Sequence, residues 1–272
     1  MNSWGNLSEE QYTGSKRMMH SDIQFLLERA SDSFSGFNLL EIVNLNKSFG
    51  GLHAVQNTSF QVKKGEILGL IGPNGAGKTT IFNLISGLLK PDSGIIKFRG
   101  KRISSLPAHS IFLAGIGRTF QIVQIFQKMT VQENLRVAGY SRLKSIRQIN
   151  EQAHEILKFL KLEHLKEEYA GKISGGQQKL LEFGRVLMFN PELFLLDEPF
   201  VGVHPEIREQ IHELIEKVHL MGKTFFIISH DMKSIFTMSN RLIVLSSGTK
   251  IAEGNPAMIK NDERVLEAYL GD

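Results

Sequence analysis

Gly72-Pro73-Asn74-Gly75-Ala76-Gly77-Lys78-Thr79 is the stretch on which the reading of this chain turns. It fits the pattern G-x-x-x-x-G-K-[ST] at every place and runs on into Thr80. The residue types follow from what such a loop does to an anion. Along Gly72, Asn74, Gly75, Ala76 and Gly77 the glycines let successive backbone N–H groups turn inward around a phosphate without Cβ clashes. A helix starting near Lys78 points its positive dipole end at the same anion. Lys78 adds a point charge between the outer phosphates, and the Thr79 hydroxyl can ligate Mg²⁺. The flanks suit this reading: Ile67–Ile71 is a short apolar run of strand length, and a helix-prone segment follows from Lys78 to about residue 89.

A phosphate loop needs an acid at the end of a second buried strand, and Leu193-Phe194-Leu195-Leu196-Asp197-Glu198-Pro199 supplies one. Four apolar residues followed by two carboxylates place the charges where the strand leaves the core. Asp197 is suited to hold Mg²⁺ through a water. Glu198 points the other way and can polarise an attacking water. A third element, Ile173-Ser174-Gly175-Gly176-Gln177-Gln178-Lys179, stands at a helix start shortly before that strand. Serine, two glycines and glutamine there form a second anion site without a lysine inside the motif.

With these three elements in order, the chain resembles the ATP-binding-cassette (ABC) ATPases, whose signature is Leu-Ser-Gly-Gly-Gln; here Ile173 stands at the first place. The resemblance covers residues 39–272 and extends to three weaker marks. Phe49 matches the aromatic that stacks on adenine, with Phe for the usual Tyr. Gln121, in Thr119-Phe120-Gln121, matches the Q-loop, and His230, in Ile228-Ser229-His230-Asp231, matches the switch histidine. The turn after the second acid reads Gly202-Val203-His204-Pro205, where most of the family carries Asp at the place of His204.

The resemblance implies an α/β fold: an ABC-type P-loop NTPase with a RecA-like core, an antiparallel β subdomain and an inserted helical subdomain. It implies ATP and Mg²⁺ as ligands, and a second ATPase subunit paired head to tail. Ser174, Gly175, Gly176 and Gln177 of one copy would then face the γ-phosphate opposite Lys78, Thr79 and Thr80 of the other. Gln121 would reach Mg²⁺ and water together with Thr79 and Asp197, Glu198 would act as base, and His230 would hold the γ-phosphate. Ser48-Phe49-Gly50-Gly51, Gly117-Arg118-Thr119-Phe120-Gln121, Met129-Thr130-Val131 and Leu266-Glu267-Ala268-Tyr269-Leu270-Gly271 look like the ATP-binding subunits of branched-chain amino-acid transporters. Relatives moving urea or other amides, and lipopolysaccharide-export ATPases, share much of that layout. Such a subunit works with transmembrane permease subunits and, in an importer, an external solute-binding protein. It lies peripherally on the cytoplasmic face of the membrane. Ile122, Val123, Ile125, Phe126 and Met129, directly after Gln121, offer apolar contacts to a permease, or core.

Composition narrows the alternatives. The chain has 272 residues, 42% hydrophobic and 22% charged, with no cysteine, which excludes disulfides, thiolate metal sites and cysteine nucleophiles. The net charge of +4 makes no nucleic-acid footprint, so no nucleic-acid partner is expected. No run approaches the ~18 to 20 apolar residues of a membrane-spanning helix, and no secretory signal is visible. The interval from Lys78 to Ser174 is too short for the coiled coil of chromosome-type ABC ATPases, and one cassette is too few for the translation type.

Residues 1–36 form an N-terminal extension, polar as far as His20, with a capping box Ser21/Gln24 ahead of an apolar stripe of Ile23, Leu26, Leu27, Ala30 and Phe34. Residues 37–272 form the ATPase domain. Strands are expected at 39–45, 58–62, 67–71, 95–98, 193–196, 224–229 and 241–245. Helices are expected at 78–89, 131–137, 145–170, 174–189 and 205–219. The helix-only stretch of about 131–182 reads as the inserted subdomain within a parallel, doubly covered sheet.

Overall fold

The apolar runs that read as buried strands lie side by side. In the computed structural model, which describes residues 37–143 and 145–270, β3 (Ile67–Ile71), β6 (Ile116–Arg118), β7 (Leu193–Asp197), β8 (Thr224–Ile228) and β9 (Arg241–Ser246) form a parallel array. Antiparallel β10 (Thr249–Gly254) closes one edge, giving the order β10-β9-β3-β8-β7-β6. The expected helix at Ser21–Phe34, the rest of the extension and Gly271 lie outside the described residues.

Side-chain alternation splits this sheet's residues between two cores. Phe194, Leu196, Phe225, Ile227, Leu242 and Val244 face a core shared with the helices α3 (Val131–Gly139), α4 (Ile146–Phe159) and α5 (Gly175–Phe189). Leu193, Leu195, Phe226, Ile228, Ile243 and Leu245 face the other, where α1 (Lys78–Ile85) and a second sheet pack. Being covered on both faces explains why β7 and β8 are apolar at nearly every place. The second sheet is antiparallel, in the order β2-β1-β4-β5, built from β1 (Asn38–Phe49), β2 (Leu52–Lys63), β4 (Ser93–Phe98) and β5 (Lys101–Arg102).

Helix α3 starts where expected, on a capping box: the Thr130 hydroxyl accepts from the Glu133 N–H, and the Glu133 carboxylate accepts from the Thr130 N–H. Elsewhere boundaries move. The helix expected over 145–170 stops at Phe159, because Leu160 and Leu162 are both buried and two residues apart cannot share one helical face. Lys161 between them turns left-handed at φ 57°. The chain then passes through a 3₁₀ turn, Glu163–Leu165, and returns beside the start of α3, where Val131 N–H donates to Glu168 C=O at 2.9 Å. Helix α1 ends at Ile85 rather than near 89, since Gly87 is left-handed at φ 72°. The hairpin strands β1 and β2 are longer than expected. Short or pattern-poor elements escape the sequence reading: β5, β6, α2 (Ala108–Ala114), β10, α7 (Met232–Met238), α8 (Pro256–Lys260) and α9 (Glu263–Leu270).

Candidate functional site

Four neighbouring strands end at one edge of the parallel sheet. In sheet order β3, β8, β7 and β6 lead into Gly72, His230, Asp197-Glu198 and Gln121 respectively. The carboxyl edge of such a sheet is where ligands bind in open α/β folds, because loops diverge there and leave a crevice. Four stretches far apart in sequence are thereby delivered to one rim by topology alone.

The phosphate loop is shaped by contacts that only glycine allows. Gly77 caps α1 at φ 96°, and a Cβ there would lie 2.2 Å from the carbonyl oxygen of Ala54 in β2. Gly72 is equally confined, with a Cβ position 2.2 Å from the Leu245 carbonyl oxygen. Lys78 Nζ donates to the Gly72 and Pro73 carbonyls at 2.7 and 2.8 Å, so its charge sits within the loop. Burial lowers the Lys78 pKa, and the nearby Glu198 and Asp197 partly offset that. Asn74, Gly75 and Thr79 are exposed, while Ala76 is buried.

Asp197 is the last residue of β7 and is only 3% exposed. Its Oδ2 accepts from Arg118 Nη2 at 3.1 Å. Arg118 is held in turn by Asn83 Oδ1 and Ser86 Oγ of the α1 segment, both at 2.8 Å, and lies over the Phe120 ring. Burial pushes the Asp197 carboxyl up, and Arg118 opposes that shift. Asp197 Oδ1 is buried with no hydrogen-bond partner. An unpartnered carboxylate oxygen beside a phosphate loop fits a hydrated divalent cation. Among the described residues no cluster of three or more His, Asp or Glu could hold a metal ion by itself.

Glu198 follows in a left-handed conformation, φ 53°, unusual for a non-glycine residue. Such a backbone costs on the order of 1–3 kcal/mol and persists only where its surroundings hold it. Here Glu198 N–H donates to Ile228 C=O at 2.9 Å, and Lys179 Nζ donates to the carbonyls of Glu198 and Val201 at 3.1 and 2.6 Å. The carboxylate Oε2 accepts from the His230 N–H at 3.2 Å and lies 3.0 Å from His230 Nδ1. The imidazole is largely exposed, so it faces outward from the pair. Asp231 caps α7 through the Ser234 N–H and pairs with Arg208 at 3.2 Å, fixing the loop that carries His230.

The remaining predicted residues sit apart from this cluster. Ser174 caps α5 in a reciprocal box with Gln177: Ser174 N–H donates to Gln177 Oε1 at 2.9 Å, and Ser174 Oγ accepts from Gln177 N–H. Gly175 has open space around it, and Gly176 approaches Ile207 of α6 (Pro205–Leu220). Phe49 ends β1, 47% exposed, with Lys47 Nζ 5.6 Å from its ring. Gln121 is exposed on the loop after β6, Thr80 lies in the first turn of α1, and His204 caps α6 without a side-chain hydrogen bond. Arg118 and Lys179 stand within sequence motifs that give them no role; the fold shows what they hold.

Glu182, also missed, is buried on α5, where its Oε1 accepts from the Gln124 N–H at 2.9 Å. Burial pushes its pKa from 4.5 up to about 7. A carboxyl raised in the folded state destabilises folding at high pH: the cost is full above about 7 and vanishes toward 4.5. We expect Glu182→Gln to stabilise the protein by about 2 to 3 kcal/mol near pH ~8, with the gain fading by pH ~5. Denaturant unfolding at both pH values checks this, and an equal effect at both would contradict it.

Residues 55–201 match the ABC transporter family model, and residues 249–272 match that of the branched-chain amino acid ATP-binding cassette transporter. The chain is 41% identical over 245 residues to the probable branched-chain amino acid transport ATP-binding protein LivG of Archaeoglobus fulgidus, covering 86% of this chain and 95% of that one. It is 36% identical over 250 residues to the high-affinity branched-chain amino acid transport ATP-binding protein BraF of Pseudomonas aeruginosa, covering 86% and 98%. Among solved structures, an ATP-binding cassette of an ABC transporter in its ADP conformation superposes with a TM-score of 0.79 at 37% identity, over 87% of this chain and 100% of that one. A dimeric cassette in a post-hydrolysis state with ADP and Pi superposes at 0.74 and 27% identity, over 80% and 98%. With two strand-end acids beside a phosphate loop and likeness along most of its length, this chain belongs to the ABC transporter family as an ATP-binding cassette.

Proposed function

We propose that this ATPase drives the uptake of branched-chain amino acids, working as one of two ATP-binding subunits paired head to tail beneath a membrane permease. The observation that carries the solute class is the likeness of residues 249–272, outside the ATPase motifs, to the branched-chain amino acid cassette family. The curated relatives described above bear the same solute in their names.

In this reading the ATP phosphates lie along residues 72–80 of one copy, with Phe49 against the adenine. Ser174, Gly175, Gly176 and Gln177 of the second copy close on the γ-phosphate, using the positive end of α5 and the Ser174 O–H that the capping box leaves free to donate. Glu198 takes the proton of the attacking water, and His230, in contact with Glu198, holds that carboxylate and meets the γ-phosphate. Thr79, Gln121 and Asp197 are the residues that would hold Mg²⁺, which supplies charge neutralisation at the outer phosphates when bound. Loss of the γ-phosphate removes the contacts that favour the closed pair, so hydrolysis lets it open.

The permease supplies the membrane span: among the described residues no helix is long and apolar enough to cross a membrane. Its contact is assigned to the surface after Gln121, where Ile122 is 78% exposed beside a groove of about 310 Å³ lined by Phe112, Phe120, Phe126 and Val137. The cassette then sits on the cytoplasmic face, with a solute-binding protein on the other side. Reconstitution with its permease in liposomes tests this. ATP-dependent accumulation of leucine, isoleucine or valine, abolished by Lys78→Ala, is expected; transport of urea or another amide without any of the three would overturn the solute assignment.

A further inference from the structure

Helix α9 brings the far end of the chain to the catalytic rim. Val265 anchors it in the larger core, 5% exposed, and Tyr269, one turn on and on the same face, packs half-buried against that core. The Tyr269 hydroxyl is closed off from solvent. It lies beside the backbone amide of Gly72, the first residue of the phosphate loop, and within the field of the Glu198 carboxylate. It makes no hydrogen bond of full geometry there.

That is an odd place for a hydroxyl whose only task is packing. A buried, unpartnered O–H destabilises the resting state, and Phe would fill the same space without it. The Gly72 amide beside this hydroxyl belongs to the loop that a filled phosphate site engages, and the Glu198 charge reaches it from the same rim. Gly72 lies close against the Leu245 carbonyl, which leaves no room for movement to that side. Glu198 uses Oε2 for both of its His230 contacts, which leaves Oε1 for a second donor. The phenol carries its proton as a donor at neutral pH, and burial moves it further in that direction.

We propose that Tyr269 is a positioning residue for ATP hydrolysis: with the phosphate site filled, its hydroxyl donates to the Glu198 carboxylate and accepts from the Gly72 N–H. The C-terminal helix thereby becomes part of the catalytic centre, although the ABC transporter match ends at residue 201. This rests on the reading of Glu198 as base. It explains why a segment characteristic of one solute branch folds back onto chemistry common to the whole family.

Tyr269→Phe in the full chain tests it. A fall in kcat of about tenfold is expected, with KM for ATP within about twofold, because positioning a base acts on the transition state rather than on nucleotide binding. The melting temperature of the nucleotide-free variant should be unchanged or higher, since an unpartnered hydroxyl is removed. A kcat within about twofold of the parent would overturn the proposal. So would a drop of several degrees in melting temperature, which would make the hydroxyl a prop of the resting fold. Glu198→Gln is measured in parallel: if that variant keeps its turnover, the underlying assignment of the base fails, whatever Tyr269→Phe does.

Discussion

Glu198→Gln is expected to lower ATP turnover by roughly 10²–10⁴-fold, the span a well-placed general base contributes. ATP should remain bound between two copies. The substitution is nearly isosteric, and the amide oxygen still accepts the His230 N–H that Oε2 accepts now. The phosphate loop itself is not touched, since Lys78 and the loop around it bond to one another independently of the Glu198 side chain, and His230 keeps an oxygen beside its ring. The left-handed backbone at residue 198 is secured by Lys179 and by the Ile228 carbonyl rather than by the carboxylate, so the loop should keep its shape. What is lost is the proton acceptor alone. With the γ-phosphate retained, the closed pair has no route to opening, and a dimer stable to sizing in ATP should accumulate. Unchanged hydrolysis would remove Glu198 from its role; lost hydrolysis without an ATP-dependent dimer would instead count against the head-to-tail arrangement.

The same residues show how far sequence carries in such a chain. The loop at 72–79 and the strand end at 193–199 were legible because their chemistry is local: glycines and a lysine in one run, apolar residues then acids in another. The start of α3 was legible for the same reason, because the Thr130 box closes within three residues, whereas the reciprocal box of Ser174 and Gln177 was not read from the sequence. Arg118 was not. Its partners Asn83, Ser86 and Asp197 lie in other segments, and no periodicity links them. Lys179 stood beside the signature glutamines in plain view, yet its task depends on how α5 lies against the loop after β7. Nor could Tyr269 have been tied to Gly72, almost the whole domain away in sequence. The helix expected over 145–170 went too far because helical composition persists past Phe159, whereas burial of both Leu160 and Leu162 requires the chain to turn. Local rules found the parts proposed to meet phosphate; the parts that hold those parts in place are tertiary.

Arg118 is therefore where a tertiary contact has the largest expected effect on stability. Arg118→Met keeps a long apolar stem for the Phe82 and Phe120 rings but leaves Asp197 buried without its cation. The pair is nearly inaccessible, at 7% and 2% side-chain exposure, so water cannot replace what is lost. Breaking one side of a buried pair costs about 3–5 kcal/mol, against about 0–1 for an exposed one. The pH dependence identifies the cause. Burial already raises the Asp197 pKa and Arg118 restrains it, so removing Arg118 raises it further. A carboxyl raised in the folded state costs stability above its folded pKa and ceases to do so as pH falls toward its unfolded value. The deficit of Arg118→Met should thus be greatest near pH ~8 and shrink on acidification, as Asp197 takes up a proton. Adding Asp197→Asn to the variant should recover much of the loss, since no uncompensated charge then remains. Denaturant unfolding of the three proteins across that range measures all of this. A pH-independent loss below about 1 kcal/mol would mean that the pair behaves as if exposed, and that Asp197 does not depend on Arg118 to stay charged at the rim of the phosphate loop.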